Sequence, residues 1–305
     1  LGIPVTALGM RPSAPNPLLL FRLVRWLRLD KPDIVQTWMY HADLVGGLAA
    51  WINGIPVVWG IRNATLHEKG KRRTAYVVNI CARLSHVIPQ MILSCSRKAE
   101  EIHTALGYNK AKFKTIPNGF DLTRFVPDET ARLKLRRELN IDDKTLLVGP
   151  VARCDPQPDH DTLITAAYLV HAVMPDVRFV LCGEGITWQN EDLVGQMGLE
   201  GLRDVFFLLG RRDDIPTIMA GLDVLVSSSH GEAFPNVLGE AMACSIPCVT
   251  TDAGDSALIV GDSGTVVPVA SPLALAEGIK YVLQLPEAER RRLGTLARQR
   301  VLEQF

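Results

Sequence analysis

Residues 227–252 read S-S-S-H-G-E-A-F-P-N-V-L-G-E-A-M-A-C-S-I-P-C-V-T-T-D. An apolar run of strand length, residues 222–226, precedes this stretch, and a turn is expected at Gly231. Helix-forming residues follow over 236–243 and end before Pro247. The pattern predicts a strand, a loop and a helix in succession, which is the repeating unit of a parallel α/β fold.

Two carboxylates flank this turn, Glu232 in the loop and Glu240 in the predicted helix. The N-terminus of a helix exposes free N–H groups and a positive dipole end, which together favour phosphate. Glu240 lies more than one turn into the helix and is better suited to accept hydrogen bonds from sugar or ribose hydroxyls. The pair predicts a nucleotide-sugar site; the alternative is that Glu232 favours the helix dipole and Glu240 is solvated.

The segment resembles the donor-site signature of family 4 glycosyltransferases of the GT-B fold, E-x7-E within E-[AG]-F-P-N-V-x-x-E-A-M-A-x-[GS]-x-P-V-V. The positions in register are Glu232, Phe234, Pro235, Asn236, Val237, Glu240, Ala241, Met242, Ala243 and Pro247. A second similarity is I-P-N-G-F-D-L-T-R-F-V-P-D over residues 116–128, close to the family's N-G-[VF]-D-x-x-x-F-x-P. Its Asn-Gly dipeptide and two prolines predict a linker.

The resemblance implies an α/β fold of GT-B architecture, with two Rossmann-like doubly wound domains facing across a cleft. We expect an acceptor-side domain over residues 1–127, a nucleotide-sugar-binding domain over 128–286, and the start of a crossover helix over 287–305. The chain begins at Leu1 within a predicted strand over residues 3–8. Within the resemblance, we expect a fragment that lacks the family's first strand and Gly-rich loop and is cut within the last helix.

Short apolar runs alternate with helical patterns along the whole chain, as expected for parallel sheets covered on both faces. The remaining predicted strands cover residues 34–37, 56–60, 91–94, 113–116, 146–151, 177–182, 205–209, 224–227 and 248–251. The predicted helices cover residues 18–29, 42–52, 75–88, 96–106, 132–139, 163–173, 191–197, 215–220, 236–243 and 287–303. Ser96 is a predicted N-cap.

Site residues are carried over from the family by position. The resemblance places Glu232 on the donor sugar, Glu240 on the ribose, Arg153 on the diphosphate, and His41 near the acceptor and transferred sugar. The remaining predicted donor contacts are the backbone of Phe234, Pro235, Asn236, Val237 and Leu238, the turn glycine Gly183, and the backbone of Arg211 at the base. For His41, a structural role is an equally open alternative.

One departure from the family pattern concerns the diphosphate site. Five residues after Arg153 the family carries a lysine, and this sequence has Pro158. Proline carries no charge, so one of two cations expected near the leaving group is absent. By analogy with an oxyanion donor, such a loss costs roughly 3 kcal/mol, or about a hundredfold in rate. Activity, and not fold, is affected.

The implied reaction transfers a sugar from a nucleotide diphosphate donor, by family default a UDP-sugar, to an acceptor hydroxyl with retention at the anomeric carbon. The expected acceptor is a glycan or a lipid-linked molecule in cell-surface polysaccharide synthesis. We expect no metal and no cofactor. A nicotinamide-dependent enzyme is disfavoured because no G-x-G-x-x-G follows a strand. The main alternative is a binding or regulatory homologue with weakened turnover, which Pro158 motivates.

Composition indicates a globular chain, with 47% hydrophobic and 22% charged residues and no apolar run of membrane-spanning length. The chain has six cysteines and no C-x-x-C pair, so we expect reduced, buried thiols in a cytoplasmic protein.

Charge is distributed unevenly, since residues 1–145 hold 22 Lys and Arg against 12 Asp and Glu, out of 33 of each in the chain. The basic residues fit peripheral contact with an anionic membrane surface or a phosphorylated acceptor; solvated helix faces are the alternative. No nucleic-acid partner is expected.

Overall fold

The computed structural model describes residues 2, 4–9, 18–64, 72–149, 159–199 and 201–305. The chain divides into two compact units, Leu1–Ile116 and Pro117–Phe305. The predicted boundary after residue 127 falls later in the chain and stays a prediction. The linker residues group with the second unit, where Phe120 packs on other aromatic rings and Phe125 is buried.

The first unit contains a parallel sheet flanked by helices. Its described strands are β1 (Val35–Trp38), β2 (Val57–Ile61), β3 (Met91–Ser94) and β4 (Phe113–Thr115), paired in the order β1-β2-β3-β4. Its described helices are α1 (Leu18–Asp30), α2 (Tyr40–Ile52), α3 (Arg72–Leu84) and α4 (Arg97–Ala105). The predicted cap of α4 is confirmed, because the Ser96 hydroxyl accepts a 3.1 Å hydrogen bond from the N–H of Ala99.

The strand predicted over residues 3–8 is wrong within the part that the structure describes. Residues 4–9 have no strand conformation, and the side chain of Val5 is 91% exposed. Pro4 has no N–H to donate to a neighbouring strand. The apolar letters of this segment therefore do not mark a sheet element.

The second unit contains a larger parallel sheet. Its described strands are β5 (Leu147–Gly149), β6 (Arg178–Leu181), β7 (Phe206–Leu208), β8 (Val224–Ser227), β9 (Cys248–Thr251) and β10 (Gly264–Val267). The described helices are α5 (Glu129–Glu138), α6 (His160–His171), α7 (Glu191–Leu199), α8 (Ile215–Gly221), α9 (Asn236–Ala243), α10 (Ser256–Val260), α11 (Pro272–Gln284) and α12 (Glu287–Gln304). The strand order is β10-β9-β8-β5-β6-β7. Both sheets confirm the α/β prediction.

The core of the second unit lies on both faces of this sheet. All four residues of β8 are buried, as expected for a central parallel strand covered by helices. A buried ion pair supports the amino-terminal edge of the sheet, where Arg136 Nη2 lies 2.8 Å from Asp223 Oδ2. The same Asp223 oxygen accepts the N–H of Leu147 at 2.8 Å. The carboxylate thus links α5 to the starts of β5 and β8.

Three elements of this unit, α10, β10 and α11, and the packing of α12 were not predicted from the sequence. Strand β10 and helix α11 lie between β9 and α12, and Ser271 caps α11 by accepting from the N–H of Ala274. Helix α12 packs on α9 within the unit, with Arg298 donating to the carbonyls of Ala243 and Phe125. The aliphatic runs around β10 carried a usable signal, since T-V-V-P-V is strand-like and Ser-Pro is a frequent helix start.

Candidate functional site

The switch point of the second sheet lies between β5 and β8. These strands are neighbours, with Val148 opposite Val224, although a long stretch of chain separates them. From β5 the chain proceeds through β6 to β7 on one side, whereas β9 and β10 follow β8 on the other side. Loops leaving adjacent strands in opposite directions open a crevice at the carboxyl edge, where ligands of doubly wound sheets bind. The quoted segment supplies one of these loops.

Direct hydrogen bonds join the loop after β8 to the start of α6. The N–H of Asp159 donates to the Ser228 carbonyl at 2.8 Å, and the Ser228 hydroxyl donates to the Asp159 carbonyl at 3.0 Å. Asp159 is also the N-cap of α6, since its Oδ1 accepts from the N–H of Thr162 at 3.0 Å. The N-terminus of α6 therefore lies beside the loop that leads into α9.

A histidine of this loop contacts the same capping residue. His230 Nε2 lies 3.2 Å from Asp159 Oδ2; the imidazole is 54% exposed and the carboxylate only 4%. Sequence reasoning singled out neither residue. The available signal was that both residues adjoin the predicted donor loops.

Glu232 is half-buried and held from two sides. Its Oε1 accepts from the hydroxyl of Ser229 at 3.3 Å. The loop after β9 approaches its backbone so closely that a Cβ on Gly254, at φ +60°, would overlap the Glu232 carbonyl. Asp255 donates its N–H to the Ala233 carbonyl at 3.0 Å. Only glycine fits at residue 254, because any side chain there would overlap the backbone of Glu232. The loop after β9 is thereby packed directly against the loop that carries Glu232.

Helix α9 begins without a side-chain cap, because its N-cap is Pro235. The first N–H groups of an α-helix have no acceptor within the helix, so they are suited to an anion. Leu238 is one of the residues whose backbone was predicted to contact the donor; its N–H donates to the Pro235 carbonyl at 3.2 Å. Asn236 is exposed, and its Oδ1 accepts from Asn118 Nδ2 at 2.8 Å. Val237 is half-buried.

The ring of Phe234 is buried and does not point to solvent. It stacks on Phe120 with centroids 6.2 Å apart and meets Phe305 edge-on at 5.7 Å. Phe120 also lies against α9, where a Cβ on Gly239 would overlap its ring. Phe120 of the linker therefore packs against both Phe234 and α9. The Asn-Gly turn and the prolines of the linker did not predict this contact.

Glu240 is half-buried on α9, one turn after Asn236. Burial raises the pKa of the Glu240 carboxyl, and the nearby Arg124 guanidinium opposes that rise. Arg124 lies 5.7 Å from the centre of the Phe125 ring. A poorly hydrated carboxylate gains from hydrogen-bond donors such as hydroxyl groups.

Two further predicted residues follow β6 and β7 at the same sheet edge. The N–H of Gly183 donates to the Gly210 carbonyl at 2.9 Å, which joins the two loops. Arg211 is exposed, whereas its neighbour Arg212 forms ion pairs with Glu138 and Asp214. The structure thus brings Gly183, Arg211, Glu232 and Glu240 to one edge of one unit.

Arg153 and Pro158 lie outside the described residues. The predicted diphosphate contact of Arg153 and the effect of Pro158 therefore stay predictions.

His41 belongs to the first unit, where it is exposed in the first turn of α2, directly after β1. Two residues further, Asp43 is fully buried and its Oδ1 accepts from the Thr37 hydroxyl at 2.5 Å. Burial raises the pKa of Asp43 to about 7, although hydrogen bonds from Thr37 and Gly60 oppose the rise. Its other oxygen, Oδ2, has no hydrogen-bond partner among the described residues.

In the described part of the chain, no group of three or more His, Cys, Asp or Glu side chains is arranged to hold a metal ion. No helix of that part is both long enough and apolar enough to cross a bilayer. The expectation of metal-free chemistry stays a prediction. The five described cysteines are buried.

The two units, each built on a parallel sheet flanked by helices, have the α/β architecture of GT-B glycosyltransferases. Residues 131–300 match the family model of glycosyl transferases group 1, and residues 2–124 match that of Glycosyltransferase Family 4. The chain therefore belongs to the glycosyl transferases of group 1. The resemblance inferred from the E-x7-E segment is confirmed.

Individual relatives agree with this assignment. The chain is 27% identical over 237 residues to UDP-Gal:alpha-D-GlcNAc-diphosphoundecaprenol alpha-1,3-galactosyltransferase of Escherichia coli, covering 76% of this chain and 61% of that protein. It is 35% identical over 245 residues to the putative glycosyltransferase EpsF of Bacillus subtilis, covering 78% of this chain and 62% of EpsF. The chain thus spans less than two thirds of these relatives.

A solved structure shows the same fold. HepE (Alr3699) of Anabaena, crystallised in complex with UDP, aligns with a TM-score of 0.82 at 24% identity. The alignment covers 94% of this chain and 78% of HepE.

Proposed function

We propose that the second unit binds a nucleotide sugar at its switch point and that the protein transfers the sugar to an acceptor hydroxyl. The observation that carries this proposal is the position of Glu232 and Glu240 on either side of the uncapped start of α9. An anion at the helix start and hydroxyl groups at both carboxylates match the parts of a sugar diphosphate.

Each group has a distinct role in this proposal. Glu240 accepts hydrogen bonds from the ribose hydroxyls, which compensate for its burial. Glu232, oriented by Ser229, accepts hydrogen bonds from hydroxyls of the donor sugar. The first N–H groups of α9 and the side chain of Arg153 stabilise the negative charge that builds on the diphosphate as it leaves. His41 serves the acceptor side.

The proposed reaction is a retaining transfer. The bond between the anomeric carbon and the β-phosphate oxygen breaks, and a bond from the same carbon to the acceptor oxygen forms on the same face. The departing phosphate takes the proton of the acceptor hydroxyl, so a nucleoside diphosphate and the glycosylated acceptor are the products. No metal is required, because helix N–H groups and Arg153 meet the charge.

The donor and acceptor classes come from the relatives. The Escherichia coli protein is named for a UDP-galactose donor and a diphosphoundecaprenol-linked acceptor. We propose UDP-sugar as donor and a lipid-linked or glycan acceptor in cell-surface polysaccharide synthesis, in the cytoplasm or at the inner membrane face. The basic residues of the first half are compatible with an anionic lipid surface.

Binding of UDP, measured by isothermal titration calorimetry, tests the site. We expect Glu240→Ala and Arg153→Ala each to weaken UDP binding by about ten- to a hundredfold, the worth of a hydrogen bond to a charged group. Glu277→Ala is the matched control, since Glu277 is exposed on α11 of the same unit. UDP binding that survives both site substitutions would overturn the assignment.

A second candidate function is supported by Pro158: a nucleotide-sugar-binding homologue with weakened turnover. Hydrolysis and transfer assays over a panel of nucleotide sugars separate the two, with wild type and Pro158→Lys in parallel. The enzyme proposal expects turnover by the wild type. Measurable binding without turnover, together with activity gained by Pro158→Lys, would favour the second candidate.

A further inference from the structure

The loop that carries Glu232 begins where β8 and β9 stop pairing as strands. The last pair in their register is Ser227 opposite Thr250. One residue further, the Thr251 hydroxyl accepts a 3.0 Å hydrogen bond from the N–H of Ser229. The same hydroxyl donates to the Ser229 carbonyl at 2.8 Å. The side chain of Thr251 therefore continues the connection between the strands beyond the end of their backbone pairing.

This contact between Thr251 and Ser229 is sequestered from water. Thr251 is 1% exposed and Ser229 is 5% exposed. A hydroxyl that binds both the N–H and the C=O of one residue restricts the orientation of both adjoining peptide groups. Buried backbone groups that lose their partners are costly, so the Ser229 backbone is held in this orientation.

The hydroxyl of Ser229 carries this restraint on to Glu232. Ser229 Oγ donates to Glu232 Oε1 at 3.3 Å. Because Thr251 holds the Ser229 backbone, the serine hydroxyl is presented to the carboxylate from a fixed point. The loop after β9 also packs on the Glu232 carbonyl through Gly254. The end of β9 and the loop after it thus support both the backbone and the side chain of Glu232.

We infer that Thr251 is a positioning residue of the donor site, which orients Glu232 through Ser229. This inference rests on the proposed function, in which Glu232 accepts hydrogen bonds from the donor sugar. Thr251 is too deeply buried to contact a substrate itself. A misplacement of about 1 Å can cost about a hundredfold in rate. Loss of the Thr251 hydroxyl should therefore impair recognition of the sugar and spare the UDP moiety, which Glu240 and α9 bind in the proposed function.

Three variants of the intact chain isolate the hydroxyl. Thr251→Val removes it and keeps the shape of the side chain, whereas Thr251→Ser restores it. Thr250→Val is the matched control, because Thr250 is equally buried and its hydroxyl donates to the carbonyls of Ser227 and Thr251, which lie in the strands. Calorimetry with UDP, UDP-galactose and UDP-glucose gives the affinities. Circular dichroism checks that each variant is folded.

Thr251→Val should bind the UDP-sugars about ten- to a hundredfold more weakly than the wild type, the range for a hydrogen bond to a charged group, with unchanged affinity for UDP. Thr251→Ser and Thr250→Val should bind all three compounds like the wild type. The steady-state kcat/KM for hydrolysis of the UDP-sugars should fall in the same order of variants.

Ser229→Ala provides a second route to the same contact if Thr251→Val does not fold. It leaves the backbone bonds to Thr251 in place and removes the donor to Glu232, so it should reproduce the selective loss of sugar affinity. The double variant should be no weaker than the weaker single variant, because both changes act through one contact. Additive losses, or a Ser229→Ala variant that binds UDP-sugars normally, would refute the inference.

The remaining outcomes separate this inference from the proposed function. If Thr251→Val binds UDP-sugars as the wild type does, or loses UDP and UDP-sugars equally, Thr251 does not position Glu232 and the donor site stands. If the wild type binds UDP and neither UDP-sugar, the sugar contact of Glu232 fails together with the inference. If the folded wild type binds none of the three compounds, the proposed function itself fails.

Discussion

The ring of Phe120 occupies the space over Gly239 that any larger side chain on α9 would need. A Cβ built on Gly239 overlaps three atoms of this ring, and the same ring stacks on Phe234 of the donor loop. Phe120 of the linker is therefore packed so closely against α9 that there is no room for a side chain at residue 239. A substitution at residue 239 should be felt both in stability and in nucleotide binding.

Gly239→Ala should lower the free energy of unfolding by about 1–3 kcal/mol, the usual cost of overpacking. UDP binding should weaken as well, because displacing Phe120 moves Phe234. Urea denaturation and calorimetry measure the two effects. Gly195→Ala is the matched control: Gly195 also lies inside a helix, with open space around its would-be Cβ. It should stabilise the fold by about 0.5–1 kcal/mol. Similar behaviour of the two variants would contradict the packing argument.

Asp223→Asn should be strongly destabilising. Arg136 is 2% exposed and would lose its carboxylate partner, so the expected cost is about 3–5 kcal/mol. Asp214→Asn is the comparison, since it removes a partner from the more exposed Arg212, which keeps Glu138, and should cost about 0–1 kcal/mol. Urea denaturation of both variants measures the two losses in free energy of unfolding. Equal costs would show that burial of the Arg136 pair is not the determining factor.

Asp43 should make stability fall as pH rises from about 4 to about 7. Its pKa is raised from 3.8 to about 7 in the folded protein, so the folded state binds the proton more tightly than the unfolded state. Between these values the unfolded chain holds fewer protons, and the free energy of unfolding decreases by about 1.4 kcal/mol per pH unit at most. Above about pH 7 both states are ionised and the loss is complete.

Asp43→Asn removes this titration while keeping an acceptor for Thr37. Relative to the wild type, we expect the variant to gain stability between pH 5 and pH 8 in urea denaturation. Asp33→Asn, at an exposed position of the same unit, is the control and should show no such gain. If the difference in free energy of unfolding between the wild type and Asp43→Asn is the same at pH 5 and at pH 8, a raised pKa for Asp43 is ruled out.

Arg124 should influence the pH at which UDP binding is lost on acidification. Burial raises the pKa of Glu240 and Arg124 lowers it, so Arg124→Ala should raise that pKa further. The loss of UDP affinity on acidification should then begin at a higher pH, because a protonated Glu240 is a weaker acceptor. UDP titrations between pH 5 and 8 measure the shift. Arg124→Lys should behave like the wild type, and Arg137→Ala, at an exposed position on α5, should leave the profile unmoved.

Ser245→Gly should stabilise the second unit. Ser245 follows the C-cap of α9 and has φ +59°, a left-handed conformation that costs a side-chain-bearing residue roughly 1 kcal/mol. The family pattern accepts glycine or serine here, so the gain should come without loss of UDP affinity. Thermal unfolding gives the result. Asn140→Gly is a comparison, since Asn140 has φ +53° and asparagine tolerates this region better. A larger gain at Asn140 would contradict this account.

Much of the second unit was readable from local sequence. The bounds predicted for β8, α9 and β9 agree with the structure, because fully buried strands and a proline-bounded helix leave clear local patterns. The predicted strand over residues 3–8 was wrong, since apolar letters do not show whether a neighbouring strand is available. Strand β10 and helix α11 were missed, although Ser271 and Pro272 carried a start signal.

The sequence by itself determined the family, the α/β class, and the place of Glu232 and Glu240 around a helix start. Those features depend on residues close together along the chain, where spacing and propensity decide. Only the tertiary structure placed His230 against Asp159 and Phe120 on Gly239. Such pairs join residues that are distant in sequence, and their contacts depend on strand order and on side-chain packing, which no local pattern encodes.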